Sequence, residues 1–326
     1  MKYFIVCIAG SLILTSFPIQ AAIKTLNPVY SVQQFEKELT DLEQRYKLDL
    51  ISIGQSEKGK AIWAVKLGKG KKNILISGSH HGREWLSTLL IMKIIKAYAE
   101  AYESKLNIDG YSTSILDEIS LIFVPLLNPD GVQIQQGDFS AFNLQEKWAL
   151  FGMNNFSTNW SRWKANARGV DLNRQYPAGW SELDTNTQAP NYQFYKGKKP
   201  LQASESKALV LFTKQINPIL AVSYHTSGRE IFWYYHNKPE NILRDYSLAK
   251  KTAILTGYNL SIPEKHANGS GYTDWFITEY ERPAMTIELS YLVDETSPPI
   301  EVIHEEWNRN RAVLLMLAAE VCKTVE

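Results

Sequence analysis

Cysteine is scarce in this sequence, and neither sign of charge is in excess. Two cysteines, Cys7 and Cys322, occur in 326 residues, so a disulfide framework is excluded as the basis of the fold. The 35 lysines and arginines balance 34 aspartates and glutamates, and no run of five or six like charges occurs. Nucleic acid and anionic membrane surfaces are therefore not expected as partners.

Long apolar runs are also missing, except at the amino terminus. Met1-Lys2 gives a short basic start, residues 3–17 form an apolar core, and residues 18–22 offer small side chains for cleavage. This pattern predicts a secretory signal peptide over residues 1–22, because the apolar stretch is too short for a comfortable membrane span. We expect a periplasmic or secreted protein that keeps no stable membrane anchor and, once cleaved, retains only Cys322.

No internal repeat or low-complexity linker divides the rest of the chain. A chain of 326 residues with 44% hydrophobic content can bury one large core, so residues 23–326 are expected to form a single catalytic domain. From Val32 onward, helical and strand patterns alternate. This alternation predicts an α/β fold with a mixed, mostly parallel sheet covered by helices on both faces.

The individual elements follow from the periodicity of the apolar residues. The strongest apolar runs predict central strands at residues 73–77, 121–125, 219–223 and 284–288. Helical patterns are found at residues 32–46, 85–101, 203–215, 240–256 and 301–322.

Polar and titratable residues follow the predicted strands, where open α/β sheets place their ligand clefts. His81 and Glu84 are three positions apart and can close on one metal ion, and His225 ends another strand. Three such ligands with one open position describe a catalytic zinc site. The alternatives are a solvated His-x-x-Glu pair and a hydrogen-bonded core histidine.

Glu288 lies inside the apolar run 286–289. A buried carboxylate without a partner is costly, so a nearby cation or a catalytic task would explain its position. The alternative is a strand glutamate that faces solvent at a sheet edge.

With these residues in place, the sequence resembles the zinc carboxypeptidases, or funnelin-type metallocarboxypeptidases. The resemblance covers nearly the whole chain from Tyr30 to the last predicted helix. Its motifs keep the family's order, at residues 52–56 with 59–62, 81–85, 128–131, 169–174, 223–227 and 286–289.

The resemblance implies that His81, Glu84 and His225 hold one zinc ion per chain, with a water in the fourth position. It implies that Glu288 is the general base, which takes a proton from the attacking water and returns it to the leaving amine. Asp171 would hydrogen-bond the first histidine ligand and select its tautomer. A structural salt bridge is the alternative role for Asp171.

Asn173 and Arg174 match the pair that captures the substrate's terminal carboxylate, which suits the forked donors of arginine. The family's arginine seven residues before the aspartate is replaced by Lys164, a donor without that fork. The catalytic cation that stabilises the oxyanion could therefore be Lys164 or one of three arginines, and Arg83 also matches a family subsite residue. The three arginines are Arg83, Arg162 and Arg168.

Two residues of the substrate pocket depart from the digestive members of the family. His266 stands where the family has a mobile tyrosine, and Thr273 stands at the specificity position. Together they predict a polar, neutral pocket. A surface-loop histidine is the alternative for His266.

These departures, with residues 162–166 and 228–235, resemble the bacterial branch that cleaves the γ-D-glutamyl bond to a diamino acid such as meso-diaminopimelate. The leading hypothesis is therefore a zinc-dependent murein-peptide amidase acting on peptide substrates, expected to be a monomer. A general secreted carboxypeptidase that removes C-terminal L-amino acids is the second hypothesis. A wall-peptide binding protein that has lost catalysis is the third, and the intact ligands and base argue against it.

Overall fold

The computed structural model describes residues 28–185, 187–261 and 269–324. The predicted signal peptide, residues 1–22, and His266 lie outside these ranges. Within the described part of the chain, no helix is long and apolar enough to cross a membrane.

One large sheet forms the centre of the fold. The strands are β1 (Asp49–Gln55), β2 (Ala61–Leu67), β3 (Lys72–Gly78), β4 (Asn107–Ile108), β5 (Tyr111–Ser112), β6 (Ile119–Val124), β7 (Leu220–Thr226), β8 (Glu230–Phe232), β9 (Asn259–Ser261) and β10 (Ala284–Leu289). Eight of them form a mixed sheet in the order β1-β2-β6-β3-β7-β10-β8-β9, and β4 pairs with β5. The pairs β6-β3, β3-β7, β7-β10 and β8-β9 are parallel.

The helices are α1 (Val32–Tyr46), α2 (Trp85–Glu103), α3 (Pro129–Gln135), α4 (Leu144–Met153), α5 (Ser204–Ile216), α6 (Pro239–Thr256), α7 (Tyr272–Tyr280), α8 (Ile303–Asn310) and α9 (Val313–Thr324). Side chains alternate between the two faces of a strand. Ile74 and Ile76 of β3 therefore belong to the apolar cluster on one face, with side chains of α1, α2, α3, α6, α8 and α9, whereas Leu75 belongs to the cluster on the other face, with α5 and α7. The prediction of an α/β fold with helices on both faces is confirmed.

The four predicted central strands are interior strands of this sheet, namely β3, β6, β7 and β10. The predicted closing helix over residues 301–322 is wrong in one respect, because two helices, α8 and α9, occupy this stretch. Where α8 ends, the carbonyl of Arg311 accepts a hydrogen bond of 2.7 Å from the hydroxyl of Tyr98. Neither proline nor glycine marks this break in the sequence.

Glu205, in the first turn of α5, is a fully buried carboxylate away from the strand ends. Its oxygens accept hydrogen bonds from the backbone N–H of Glu57 (3.1 Å) and from the amide of Asn166 (3.0 Å). Burial outweighs these donors and raises the pKa of Glu205 to about 7. Folding therefore favours the neutral form of this side chain.

We expect Glu205→Gln to remove one pH-dependent contribution to stability. Because the pKa of Glu205 is raised on folding, its protonation stabilises the folded state. This stabilisation is fully present below about pH 4.5 and is lost as the pH rises through about 7. The free energy of unfolding of the wild type, minus that of the variant, should fall by about 3 kcal/mol across this range. Denaturant titrations at several pH values measure it, with exposed Glu36→Gln as the control. A pH-independent difference would contradict the assignment.

Candidate metal centre and active site

A row of side chains crosses the sheet at the carboxyl end of its interior strands. His225 of β7 pairs with Glu288 of β10, and Glu288 pairs with Glu230 of β8. Directly paired residues project from the same face of a sheet. An imidazole and two carboxylates therefore lie side by side on the face covered by α7. Because β10 is an interior strand, the alternative of a glutamate at the sheet edge does not apply to Glu288.

The chain leaves β3 through a tightly held turn that carries His81 and Glu84. The Ser79 hydroxyl lies 3.2 Å from the carbonyl of Glu84 and 2.7 Å from the hydroxyl of Thr88. Gly82 packs against the backbone of Gly131, and an added Cβ at Gly82 would lie 2.3 Å from that carbonyl oxygen. Only glycine permits this close approach, which brings the turn against the start of α3.

His81, Glu84 and His225 converge on one point. Nδ1 of His81 and Nδ1 of His225 each lie 2.8 Å from a different oxygen of Glu84, and the two nitrogens are 3.2 Å apart. All three side chains are buried. Among the described residues, this is the one group of histidine, cysteine and acidic side chains placed to hold a metal ion, with ligand atoms within 4.8 Å of one another.

The other ring nitrogens show that this group fits zinc. Nε2 of His81 lies 3.1 Å from Asp171, and Nε2 of His225 lies 3.2 Å from the Ser223 hydroxyl. When each imidazole donates through Nε2, its Nδ1 carries a lone pair. Two such lone pairs and a carboxylate then face one another in a buried space, an arrangement that a cation stabilises. Two nitrogens and one oxygen are ligands typical of a catalytic zinc site.

Asp171 and Lys164 form a buried ion pair beside this group. Nζ of Lys164 lies 3.5 Å from one oxygen of Asp171, and His81 contacts the other oxygen. Burial alone would raise the pKa of Asp171, but Lys164 and His81 together hold that pKa well below its ordinary value. Asp171 is therefore charged, and it has both the contacts predicted for it: one with His81 and one with a cation.

Glu288 has the opposite electrostatic setting. Burial, followed by the negative charge of Glu84, raises the pKa of Glu288 well above its ordinary value, while Lys164 opposes the shift. A carboxylate that holds a proton more readily than usual is suited to accept and return one during a reaction.

Asn173 and Arg174 lie in a short turn that Asp171 caps, since the backbone N–H of Asn173 donates to Asp171 (3.1 Å). The side-chain oxygen of Asn173 accepts from the backbone N–H of Tyr272, the first residue of α7 (3.0 Å). Arg174 donates to the carbonyl of Asn173 (3.0 Å). Within the described ranges no carboxylate forms an ion pair with Arg174, so its guanidinium is available to an anionic ligand.

Thr273 lies on α7 and contacts the sheet next to Glu288. Its hydroxyl is 2.9 Å from the hydroxyl of Thr286, which precedes Glu288 by two positions on the same face of β10. Phe232 of β8 pairs with Thr286. The side chains next to Glu288 on this face therefore include two neutral hydroxyls and one aromatic ring, and Glu230 adds a carboxylate. The polar, neutral pocket stays a prediction.

The four candidate cations have different surroundings. The Arg168 side chain is 72% exposed and pairs with Glu57 at 2.5 Å, and the Arg162 side chain is 48% exposed and pairs with Glu295. Nη1 of Arg83 donates to two carbonyls and to the side chain of Gln193. Lys164 alone of the four contacts Asp171, and of the nearby charges it does most to lower the pKa of that residue.

Comparison with known proteins identifies the family of this chain. The sequence matches the family described as zinc carboxypeptidase over residues 35–313. The chain belongs to the zinc carboxypeptidase family. The cofactor is therefore zinc, and His81, Glu84 and His225 are the residues that would hold it.

Two bacterial relatives share most of this carboxypeptidase chain. The sequence is 34% identical over 266 residues to "Gamma-D-glutamyl-L-diamino acid endopeptidase 1" of Lysinibacillus sphaericus, a match that spans 80% of this chain and 65% of that protein. It is 30% identical over 267 residues to the protein YqgT of Bacillus subtilis strain 168, spanning 80% of this chain and 70% of YqgT. The chain thus spans about two thirds of the length of these relatives.

Solved structures show the same carboxypeptidase fold. Bovine thrombin-activatable fibrinolysis inhibitor, in complex with tick carboxypeptidase inhibitor, superposes with a TM-score of 0.71 at 17% identity, covering 91% of this chain and 99% of that one. The murein-tripeptide amidase MpaA of Escherichia coli O157 superposes with a TM-score of 0.51 at 19% identity, covering 82% and 91%.

Sequence reasoning missed two residues of this carboxypeptidase site. His80 is buried, stacks on His225 with ring centroids 5.2 Å apart, and lies 3.1 Å from the Tyr176 hydroxyl. Burial, then His225 and His81, hold the pKa of His80 well below its ordinary value. Glu230, the second, lies in the stretch 228–235 that carries the resemblance to the bacterial branch, but its place beside Glu288 follows only from the pairing of β8 with β10.

The contact between Asp171 and His81 predicts an effect on metal affinity. Asp171→Asn keeps the shape of the side chain but removes the charge that stabilises the Nε2-protonated imidazole. We expect zinc affinity to fall about 10- to 100-fold, measured by competition with a chromophoric chelator. Asp184→Asn, at an exposed position, is the control. Unchanged affinity in the Asp171 variant would leave this aspartate with only its structural contacts.

Proposed function

We propose that this chain is a zinc-dependent hydrolase that cleaves the amide bond between a γ-D-glutamyl residue and a C-terminal diamino acid, such as meso-diaminopimelate, in murein peptides. The observation that carries the proposal is the Thr273–Thr286 wall beside Glu288. Such a pocket suits a side chain that ends in polar groups better than an apolar one. The relative from Lysinibacillus sphaericus, named for a γ-D-glutamyl-diamino acid bond, supports the same substrate class.

Each residue of the site has a separate role in the proposed reaction. Zinc, when bound, would supply a Lewis acid that polarises the scissile carbonyl and lowers the pKa of a water molecule. Arg174 and Asn173 would hold the terminal carboxylate through charge-assisted hydrogen bonds. Glu288 would take the proton of the attacking water and pass it to the leaving nitrogen. Lys164, next to Asp171, would stabilise the negative charge that develops on the carbonyl oxygen.

Glu288→Gln should lower kcat about 10²- to 10⁴-fold, because glutamine can neither accept nor return the proton. Mass spectrometry of a murein tripeptide and a blocked L-dipeptide, each incubated with the enzyme, measures the products. The variant and a zinc-chelated sample should both lose activity, while the variant retains full zinc content.

The two substrates also separate the candidate activities. Release of diaminopimelate from the tripeptide alone agrees with the proposal. Cleavage of the dipeptide alone would instead indicate a general carboxypeptidase, an activity in line with the fungal relatives named metallocarboxypeptidase A, such as that of Trichophyton tonsurans at 28% identity.

Lys164→Met tests the choice of oxyanion donor. We expect kcat to fall about 10²- to 10³-fold, since one preorganised donor to the developing charge is lost. Lys164→Arg, which restores the family's residue, should lose less. Arg162→Met is the matched control, because that side chain is half exposed and already paired with Glu295. An equal loss in the Arg162 variant would assign the task to Arg162 instead.

We further propose export to the periplasm or medium, on the basis of the signal-like residues 1–22. Export would bring the enzyme to wall peptides, which lie outside the cytoplasmic membrane. Edman sequencing of protein from the periplasmic fraction would test it: a mature start near residue 23 supports export, and a full-length chain in the cytoplasm contradicts it.

A further inference from the structure

Glu230 is a second carboxylate in the proposed substrate site. It pairs directly with Glu288 across β8 and β10, and it projects from the same face of the sheet. Its side chain lies over Gly228, with Cγ at 3.6 Å and Oε2 at 3.8 Å from the position that a Cβ on Gly228 would take. These are ordinary van der Waals distances, so the Glu230 side chain lies against the backbone just beyond β7, the strand that carries His225.

No described residue neutralises Glu230. None of the hydrogen bonds or ion pairs within residues 28–185, 187–261 and 269–324 reaches its carboxylate. Its neighbour Arg229 pairs instead with Glu305 and Glu306 on α8. Glu230 is only half-buried, so its charge is tolerated, but that charge is one of those that raise the pKa of Glu288. Like charges side by side are unfavourable, so the position of this carboxylate indicates a role in function.

The ligand that fits this position is a cation carried by the substrate. We infer that Glu230 binds the distal ammonium group of the diamino acid and thereby selects diamino over monoamino C-terminal residues. This inference rests on the proposed function. A half-buried carboxylate forms its strongest hydrogen bonds with a charged donor, and the distal amine of diaminopimelate is the one cation on the released residue apart from its reacting nitrogen.

The spacing of the wall agrees with this assignment. Thr286 and Glu288 are two residues apart on one face of β10, about 6.8 Å, and β8 sets Phe232 and Glu230 opposite them. A diaminopimelate side chain that passes along this wall presents its ammonium and its carboxylate on one carbon atom. Glu230 attracts the first group. The hydroxyls of Thr273 and Thr286 hydrogen-bond each other, which leaves one O–H of the two to donate to the second group.

A pair of substrates that differ only in the distal amine tests the inference. The first is an alanyl-γ-D-glutamyl-meso-diaminopimelate tripeptide, and the second carries 2-aminopimelate in the last position. We expect the wild type to prefer the first by about 10- to 100-fold in kcat/KM, the range for a hydrogen bond to a charged group. Glu230→Gln should bring this ratio close to one, mainly by slowing the diaminopimelate substrate. Glu230→Asp, which keeps the charge on a shorter side chain, should give an intermediate ratio.

The controls distinguish a loss of substrate selectivity from a general loss of folding or zinc binding. Glu301→Gln, at an exposed glutamate, should leave the ratio unchanged, and zinc content and Tm should be the same in all variants. Equal losses on both substrates, or an unchanged ratio in Glu230→Gln, would overturn the inference while leaving the proposed function standing. A wild type that cleaves ordinary dipeptides but neither tripeptide would refute the proposed function, and the inference with it.

Discussion

The pairing register of β7 and β10 is the constraint on which the whole site depends. These parallel strands set His225 directly beside Glu288, and β3 on the other side of β7 delivers the turn with His81 and Glu84. A slip of one residue would turn Glu288 to the opposite face of the sheet. That face is packed with apolar side chains from six helices, so burial of the core enforces the register that aligns His225 with Glu288.

Burial determines which of the side chains around His225 and Glu288 are charged. Charged groups removed from water are stable only when they have partners, and the partners here form a continuous series from Lys164 through Asp171 to His81. The same burial leaves Glu288 with an unfavourable neighbour in Glu84. In the same buried space, Asp171 therefore stays charged, whereas Glu288 accepts a proton more readily than usual. Two carboxyl groups acquire different properties because their neighbours differ.

Much of the fold could be predicted from the sequence because the interior strands are short continuous apolar runs, a pattern typical of strands buried on both faces. The group of metal ligands could also be predicted from the sequence, because His81 and Glu84 are close together and His225 ends a strand with a strong apolar pattern. The break near Arg311 could not be predicted, because neither proline nor glycine marks it, and the hydrogen bond found there comes from Tyr98, more than two hundred residues away. Glu230 belongs to a three-residue strand whose partner is known only once the sheet has formed. Long-range contacts, rather than local patterns, decide both.

Asn173 joins two parts of the site that are otherwise separate. Its turn carries the guanidinium of Arg174, and its side-chain oxygen accepts a hydrogen bond from the first residue of α7, the helix that bears Thr273. In the proposed reaction, the group that holds the substrate's terminal carboxylate and one wall of the pocket are therefore joined by a direct hydrogen bond. The bond couples the position of the turn to the position of α7. In that reaction, the length of the substrate's last side chain would be measured between two elements that are tied to each other.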